Sequence, residues 1–126
     1  MMQYSTTGGA QGICPTGWHL PTDWEWKVLE MGLGMTLTEA DSTGWRGTDQ
    51  GTQLKSGGGS GFQALLAGLR GADGSFGYRG ANAGFWSSTE SSGSTAWGRF
   101  LGSSEARVYL NTYGKALGFS VRCVKD

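Results

Sequence analysis

Gly84-Phe85-Trp86-Ser87-Ser88-Thr89-Glu90, then Ala96-Trp97-Gly98-Arg99-Phe100-Leu101, then Ala106-Arg107-Val108-Tyr109-Leu110-Asn111: this stretch decides the fold. Short apolar/polar alternations separated by Gly/Ser-rich joints are the pattern of an antiparallel meander. A last run, Gly118-Phe119-Ser120-Val121-Arg122-Cys123-Val124, closes the block. Successive strand side chains point to opposite faces, so Trp97, Arg99 and Leu101 share one face. Ala96, Gly98, Phe100 and Gly102 share the other. The first face carries large anchors and the second is mostly small. A face that need not pack is free for display, and the alternation gives the second face that role.

The rest of the chain is consistent with one domain built on that block. Its 126 residues allow a single core. Glycine is the outlier, 24 of 126 residues or about 19%, against a usual ~7%. There is no Gly-X-Y period and there are only 2 prolines, which excludes collagen-like and polyproline readings. Six tryptophans, five phenylalanines and four tyrosines make the chain too aromatic to be disordered. The expectation is a compact domain rich in turns and pinned by aromatic rings. Formal charge is zero, with 10 basic and 10 acidic residues and no basic run, so a nucleic-acid partner is disfavoured. No apolar run approaches the length of a membrane span. Met1-Met2-Gln3-Tyr4 lacks the basic start and apolar core of a signal peptide.

Residues 1–12 are polar and rich in Gly, Ser and Thr, and read as a leader, a remnant of a longer chain; residues 13–126 read as the single domain. Ile13 to Pro21 should be extended or turning, bracketed by two prolines. Pro21-Thr22-Asp23-Trp24-Glu25 starts a helix, with Thr22 as cap and Glu25 completing a capping box. Trp24, Val28 and Met31 fall on one face, which predicts Trp24 inward and Trp26 partly exposed; Gly32 and Gly34 end the helix. Thr38 before Glu39-Ala40-Asp41 can open a short second helix, and Gly44 to Lys55 reads as a turn followed by a helical turn or two. Ser56 to Gly61 is an internal loop, since too little chain flanks it for two cores. Phe62 to Leu69 returns to the core, and Phe76-Gly77-Tyr78 after the Asp73-Gly74 turn reads as a short strand or bend.

The search for catalytic chemistry mostly fails. His19, the only histidine, sits between Trp18 and Leu20, and reads as a hydrogen-bonded residue near the core because its neighbours offer no general-base partners. Metal-ligand spacings and clustered carboxylates are absent from the sequence, so no metal and no cofactor are expected. Asp23, Glu25, Glu39 and Asp41 read as helix-start or surface acids. Gly57-Gly58-Gly59-Ser60-Gly61 lacks the Lys-Ser/Thr of a phosphate loop. Arg99 and Arg122 lie among apolar residues, where an arginine usually bonds carbonyls or an acid. Trp18, Trp45, Trp86 and Trp97 read as core fillers in a chain with so much glycine. Cys14 and Cys123 are too few for a zinc site; composition leaves a disulfide and two free thiols both open.

Cys14-Pro15-Thr16-Gly17-Trp18-His19-Leu20-Pro21-Thr22-Asp23, with Trp26 four residues after Thr22, resembles the opening signature of the Fibrobacter succinogenes major paralogous domain family. Gly44-Trp45-Arg46-Gly47-Thr48, Gln53-Leu54-Lys55 and Ser60-Gly61-Phe62 are similar to its middle. So are Gly68, Arg70, Asp73-Gly74-Ser75-Phe76 and Phe85-Trp86-Ser87-Ser88-Thr89, followed by Ala96-Trp97, Arg99 and Leu101. Gly118 to Val124 matches its end, so the resemblance covers nearly everything after residue 12. It implies an α+β, C-type lectin-like fold, with two helices flanking short twisted antiparallel strands, much irregular loop and chain ends brought together. It also implies a Cys14–Cys123 disulfide, since both cysteines match the pattern, and a scaffold of Trp86, Trp97, Arg99, Leu101 and Arg122.

Family members look like exported or surface proteins of microbes, which places this chain outside the cell, on a cell or virion surface, as part of a longer protein. Related lectin-fold domains serve as variable proteins of diversity-generating retroelements, in which a C-terminal segment is rewritten over a fixed scaffold. Here the off-scaffold positions are Ser91, Ser92, Ala96, Gly98, Phe100, Gly102, Ser103, Ser104, Ala106, Tyr109, Asn111 and Tyr113. They form the expected ligand-binding face, with Phe100, Tyr109 and Tyr113 as contact anchors. The Glu-Pro-Asn and Trp-Asn-Asp signatures of calcium-dependent sugar binding, and the paired active-site cysteines of formylglycine-generating enzymes, have no counterpart in the sequence. The expected function is non-enzymatic recognition of a protein or cell-surface ligand. A carbohydrate-binding module contacting glycan through Trp26 or Tyr109, and a structural module of a surface array, are the alternatives.

Overall fold

A computed structural model describes residues 10–126; the expected leader falls, apart from residues 10–12, outside the described residues. In chain order the elements are β1 (Trp18–His19), α1 (Asp23–Gly32), α2 (Leu37–Asp41), β2 (Gly44–Arg46), α3 (Gln50–Leu54), β3 (Leu69–Arg70), β4 (Phe76–Gly77), β5 (Asn82–Glu90), β6 (Thr95–Gly102), β7 (Val108–Gly114) and β8 (Val124–Lys125). The protein is therefore a mixed helix and strand domain with antiparallel sheets. Its helices number three among the described residues, one more than expected, because the helical turn after Gly44-Trp45-Arg46 closes into α3.

The meander forms as its alternation predicts. β5, β6 and β7 pair antiparallel in sequence order, and β2 adds to the outer edge of β7, giving the order β2-β7-β6-β5. Two small sheets flank it: β3 with β4, and β1 with β8, which joins the two ends of the described chain. The Cys14–Cys123 disulfide fastens the same junction across 109 residues of sequence. A loop that long is where cross-linking removes most unfolded-state entropy.

One face of the four-stranded sheet packs on the helices. Trp26, Leu54, Ala64, Ala83, Phe85, Leu101 and Val108 form that core, with Leu29, Leu33, Phe62 and Leu66 against it. α1 begins as predicted, with Thr22 accepting from the Glu25 amide and Glu25 accepting from the Thr22 amide. Its buried face differs from the expected one. Trp26 is 3% exposed whereas Trp24 is 56% and Val28 50% exposed. The reason is Glu30, one turn beyond Trp26 and fully buried. Its carboxylate receives Arg46 Nη2 at 2.5 Å and Arg99 Nε at 3.0 Å, and Arg99 Nη1 also pairs with Asp23. Two guanidiniums waiting under the sheet turn the helix so that an acid faces inward. α2 is capped by Thr36, with Glu39 completing the box, two residues before the expected start at Thr38.

Trp86 is buried and Trp97 half-buried, but Trp18 and Trp45 are 39% and 40% exposed, against the expectation of core. Trp18 lies on a strand that, among the described residues, pairs only with β8. Trp45 alternates with Arg46, and since Arg46 enters the ionic cluster, Trp45 must point to the other face.

Candidate functional site

That other face is where the sequence places its binding residues. Register brings Phe100 opposite Tyr109, Gly98 opposite Asn111 and Ala96 opposite Tyr113 between β6 and β7. Trp45 lies opposite Tyr109 from β2, while Gly84, Trp86 and Asn82 lie opposite Phe100, Gly98 and Gly102 from β5. In the middle of this face the chain after β7 comes back, and Phe119 stacks on Trp86 at 4.4 Å between ring centroids. Phe100 and Tyr113 meet Phe119 edge-on at 5.1 and 5.2 Å.

The small residues therefore are a seat rather than a display. Ala96 is fully buried, and Gly98 and Gly102 are buried as well. A Cβ on Gly84 would stand 3.0 Å from the Phe119 ring, and one on Gly98 would stand 3.2 Å from both Phe85 O and Tyr113 and 3.4 Å from Phe119. Gly102 lies beneath Asn82 and Trp45. The expectation that Ala96, Gly98 and Gly102 contact a ligand is corrected on this ground: their smallness is what lets Phe119 and the aromatic row approach the sheet.

The larger members of the predicted set remain accessible and converge. Phe100, Tyr109 and Tyr113 line one trough together with Trp45, Leu69, Tyr78 and Asn82, a concavity of about 380 Å³. Trp45 meets Tyr109 edge-on at 5.0 Å, and Phe100 and Tyr113 lie 5.1 Å apart. No lining side chain carries a charge. Burial, with Tyr109 beside it, holds the Tyr113 phenol well above the usual tyrosine range, so it stays a neutral donor. Two turns sit at opposite ends of the strands. Ser91 and Ser92, both exposed, share the Thr95 hydroxyl at 2.7 and 2.6 Å in one. Ser103, Ser104 and Ala106 are exposed in the other, which Lys55 braces by donating to Gly102 O and Glu105 O at 2.7 and 2.8 Å.

Trp45, Leu69, Tyr78 and Asn82 were missed by the sequence reading. Trp45 had a signal, its alternation with Arg46; Tyr78 had none. Tyr78 takes φ 62°, a left-handed conformation that a bulky side chain rarely adopts. Its carbonyl accepts from the Ala81 and Asn82 amides at 2.9 Å each, and the backbone of residues 77–79 packs on Gly68, where a Cβ would lie 2.2 Å from Gly77 O. The surroundings over-determine the strained residue, as they must for it to persist.

The remaining scaffold residues act from beneath or beside this site. Arg99 belongs to the ionic cluster, Leu101 to the core, and the backbone carbonyl of Trp97 accepts from Ser87 Oγ at 2.8 Å. Arg122 stacks on Phe62 at 4.5 Å and donates to its carbonyl at 2.8 Å. It borders a second, larger groove of about 610 Å³ between α1 and the residues leading into β8, which the outward turn of Trp24 and Val28 helps to form. His19 has the partners its neighbourhood seemed to lack: Nε2 lies 2.8 Å from Glu25 Oε1 and Nδ1 2.6 Å from Asp126 Oδ1. The Glu25 hydrogen bond, then that from Asp126, raises its pKa, so the imidazolium clamps β1 to α1 and the end of the chain. Trp26, the alternative glycan contact, is in the core. Among the described residues no helix is long and apolar enough to cross a membrane, and no group of three His, Cys, Asp or Glu is placed to hold a metal ion.

No curated protein and no solved structure matches this chain. The family model described as Fibrobacter succinogenes major domain matches residues 2–125, which take in the whole trough, both turns and the disulfide. The chain belongs to that family.

Proposed function

We propose that this chain is a non-enzymatic recognition domain of C-type lectin-like fold, which binds a protein or other surface-displayed target through the aromatic trough and the turns at its ends. The observation that carries the reading is the convergence of Phe100, Tyr109 and Tyr113 with Trp45 and Tyr78 on one uncharged concavity. Rigid rings supply contact area at low entropy cost, and Ser91, Ser92, Ser103, Ser104 and Asn111 add adaptable polar contacts around them. The lectin-like assignment is supported by the joined chain ends and by the long irregular run between α3 and β5. A disulfide fits an extracellular or virion-surface location. The reading requires no metal or cofactor.

Diversification by a retroelement is part of the proposal, on a narrower set of positions than the sequence offered. Ala96, Gly98 and Gly102 are held by packing, so the tolerant positions are Ser91, Ser92, Phe100, Ser103, Ser104, Ala106, Tyr109, Asn111 and Tyr113. The test is codon-by-codon sequencing of the gene across its natural population. Substitutions concentrated at those positions, with Ala96, Gly98, Trp97, Arg99 and Leu101 constant, support a diversified receptor. Low, evenly spread variation ends the diversification idea and leaves a domain with one fixed ligand.

A further inference from the structure

We infer that the trough takes an extended, uncharged, proline-rich segment of a partner protein, an inference that rests on the recognition reading above. The trough has no charged lining residue, which argues against phosphate, acidic and basic ligands alike. The polar groups its lining residues carry are the Trp45 indole N–H, the hydroxyls of Tyr78, Tyr109 and Tyr113, and the Asn82 amide. None of these makes a hydrogen bond within the described residues. Trp45 can only donate, and each tyrosine hydroxyl carries a proton to give, Tyr113 the more firmly for its raised pKa. A donor-rich aromatic concavity fits a ligand made of acceptors and flat apolar rings. Polyproline is such a chain: its residues lack N–H, its carbonyls point outward unpaired, and its rings pack on aromatic faces.

The dimensions agree. Tyr109 and Tyr113 stand four residues apart on β7, about 13 Å along the strand. Polyproline rises about 3.1 Å per residue, so about four residues span the row. Such a helix is already extended in solution, which keeps the ordering cost of binding low. Tyr78 adds a lining ring from outside the four-stranded sheet. Its left-handed backbone, wedged over Gly68, aims a 62%-exposed ring at a place no regular strand would put it.

The experiment titrates the whole chain with acetylated, amidated octaproline and follows the Trp45 indole N–H resonance, assigned with Trp45→Phe. A Gly/Ser octapeptide and maltoheptaose are the comparison probes. Octaproline should shift the resonance and saturate, and Tyr78→Gly should weaken binding about ten-fold or more. Glycine suits the left-handed position, so that variant loses the ring without losing the fold. Phe76→Ser, at an 83%-exposed position outside the trough, should bind as wild type does. The inference is overturned if octaproline leaves the resonance unmoved, or if Tyr78→Gly binds it unchanged. Should maltoheptaose or the flexible peptide shift Trp45 instead, the proline inference falls while the recognition reading stands. If all three are inert the inference also falls, and the recognition reading is then judged on the population sequencing alone.

Discussion

Replacing Glu30 by glutamine should cost about 3–5 kcal/mol of folding stability, the range found when one partner of a buried ion pair is removed. Glu30, Arg46 and Arg99 have side chains 0%, 1% and 0% exposed. Asp23, 14% exposed at the edge of this cluster, pairs with Arg99 and also with Lys27 Nζ at 3.2 Å, so only Glu30 and the two guanidiniums are out of reach of water. The guanidiniums keep other partners after the change: Arg46 donates to Ala40 O and Ser42 O at 3.1 Å each, and Arg99 donates to Asp23 O at 3.2 Å. Those bonds satisfy donors but do not neutralise charge. Glutamine fills the space of Glu30, yet leaves one positive charge unbalanced and turns an amide N–H₂ toward a guanidinium. A domain of this size has about 5–15 kcal/mol to lose. At roughly 4 °C per kcal/mol, the melting temperature should fall by about 12–20 °C. The assay is urea unfolding at neutral pH with the disulfide intact, which should move the midpoint at constant slope. A second variant separates charge imbalance from shape. Glu30→Leu with Arg46→Met and Arg99→Met removes all three fully buried charges, and Asp23 keeps Lys27 Nζ at 3.2 Å as its counter-ion, so this variant should recover to within about 1 kcal/mol of wild type, or exceed it. A Glu30→Gln protein within about 0.5 kcal/mol of wild type would refute the reasoning.

Two further changes probe the seat and the clamp. Gly98→Ala should destabilise by about 1–3 kcal/mol because the added methyl meets Phe85 O and the Tyr113 and Phe119 rings, while Ser104→Ala in the exposed turn should stay within about 0.5 kcal/mol; equal urea midpoints for the two would contradict the packing account. His19 has a raised folded-state pKa, so its stabilisation is fully present below its unfolded value of 6.5 and is lost as pH rises through the raised value. Midpoints measured against pH should accordingly converge between wild type and His19→Gln on the alkaline side of that window, and a gap that is constant across it would count against the clamp.

The meander, the first capping box and the internal Gly/Ser loop were legible because each is a local pattern that local physics decides. The facing of α1 was not. An apolar count favours Trp24, Val28 and Met31, and the acid at Glu30 interrupts the stripe through Trp26, Leu29 and Leu33 that is in fact inward. What makes the acid buriable comes from Arg46 and Arg99, 16 and 69 residues away. The trough was half legible for a similar reason. Phe100, Tyr109 and Tyr113 share a period-2 face with one another, but Trp45, Tyr78 and Asn82 reach it through a non-sequential strand, a left-handed turn and the start of β5. Smallness was misread as freedom, since the ring that needs the space, Phe119, lies beyond the meander.

These two misreadings have one origin, and it links the core to the site. Arg99 and Phe100 are consecutive on β6 and so project to opposite faces. Below the sheet, Arg99 is fixed to α1 through Glu30 and Asp23; above it, Phe100 packs against Tyr113 and Phe119. The strand is thus held from both sides at adjacent residues, and the height of the trough floor depends on charges that never touch a ligand. Under the proposed recognition function, a face that varies at Tyr109, Asn111 and Tyr113 would gain from such an arrangement. Substitutions there alter only the upper contacts, while the directional bonds of the buried cluster keep the sheet in place, which a core of interchangeable apolar side chains would do less strictly.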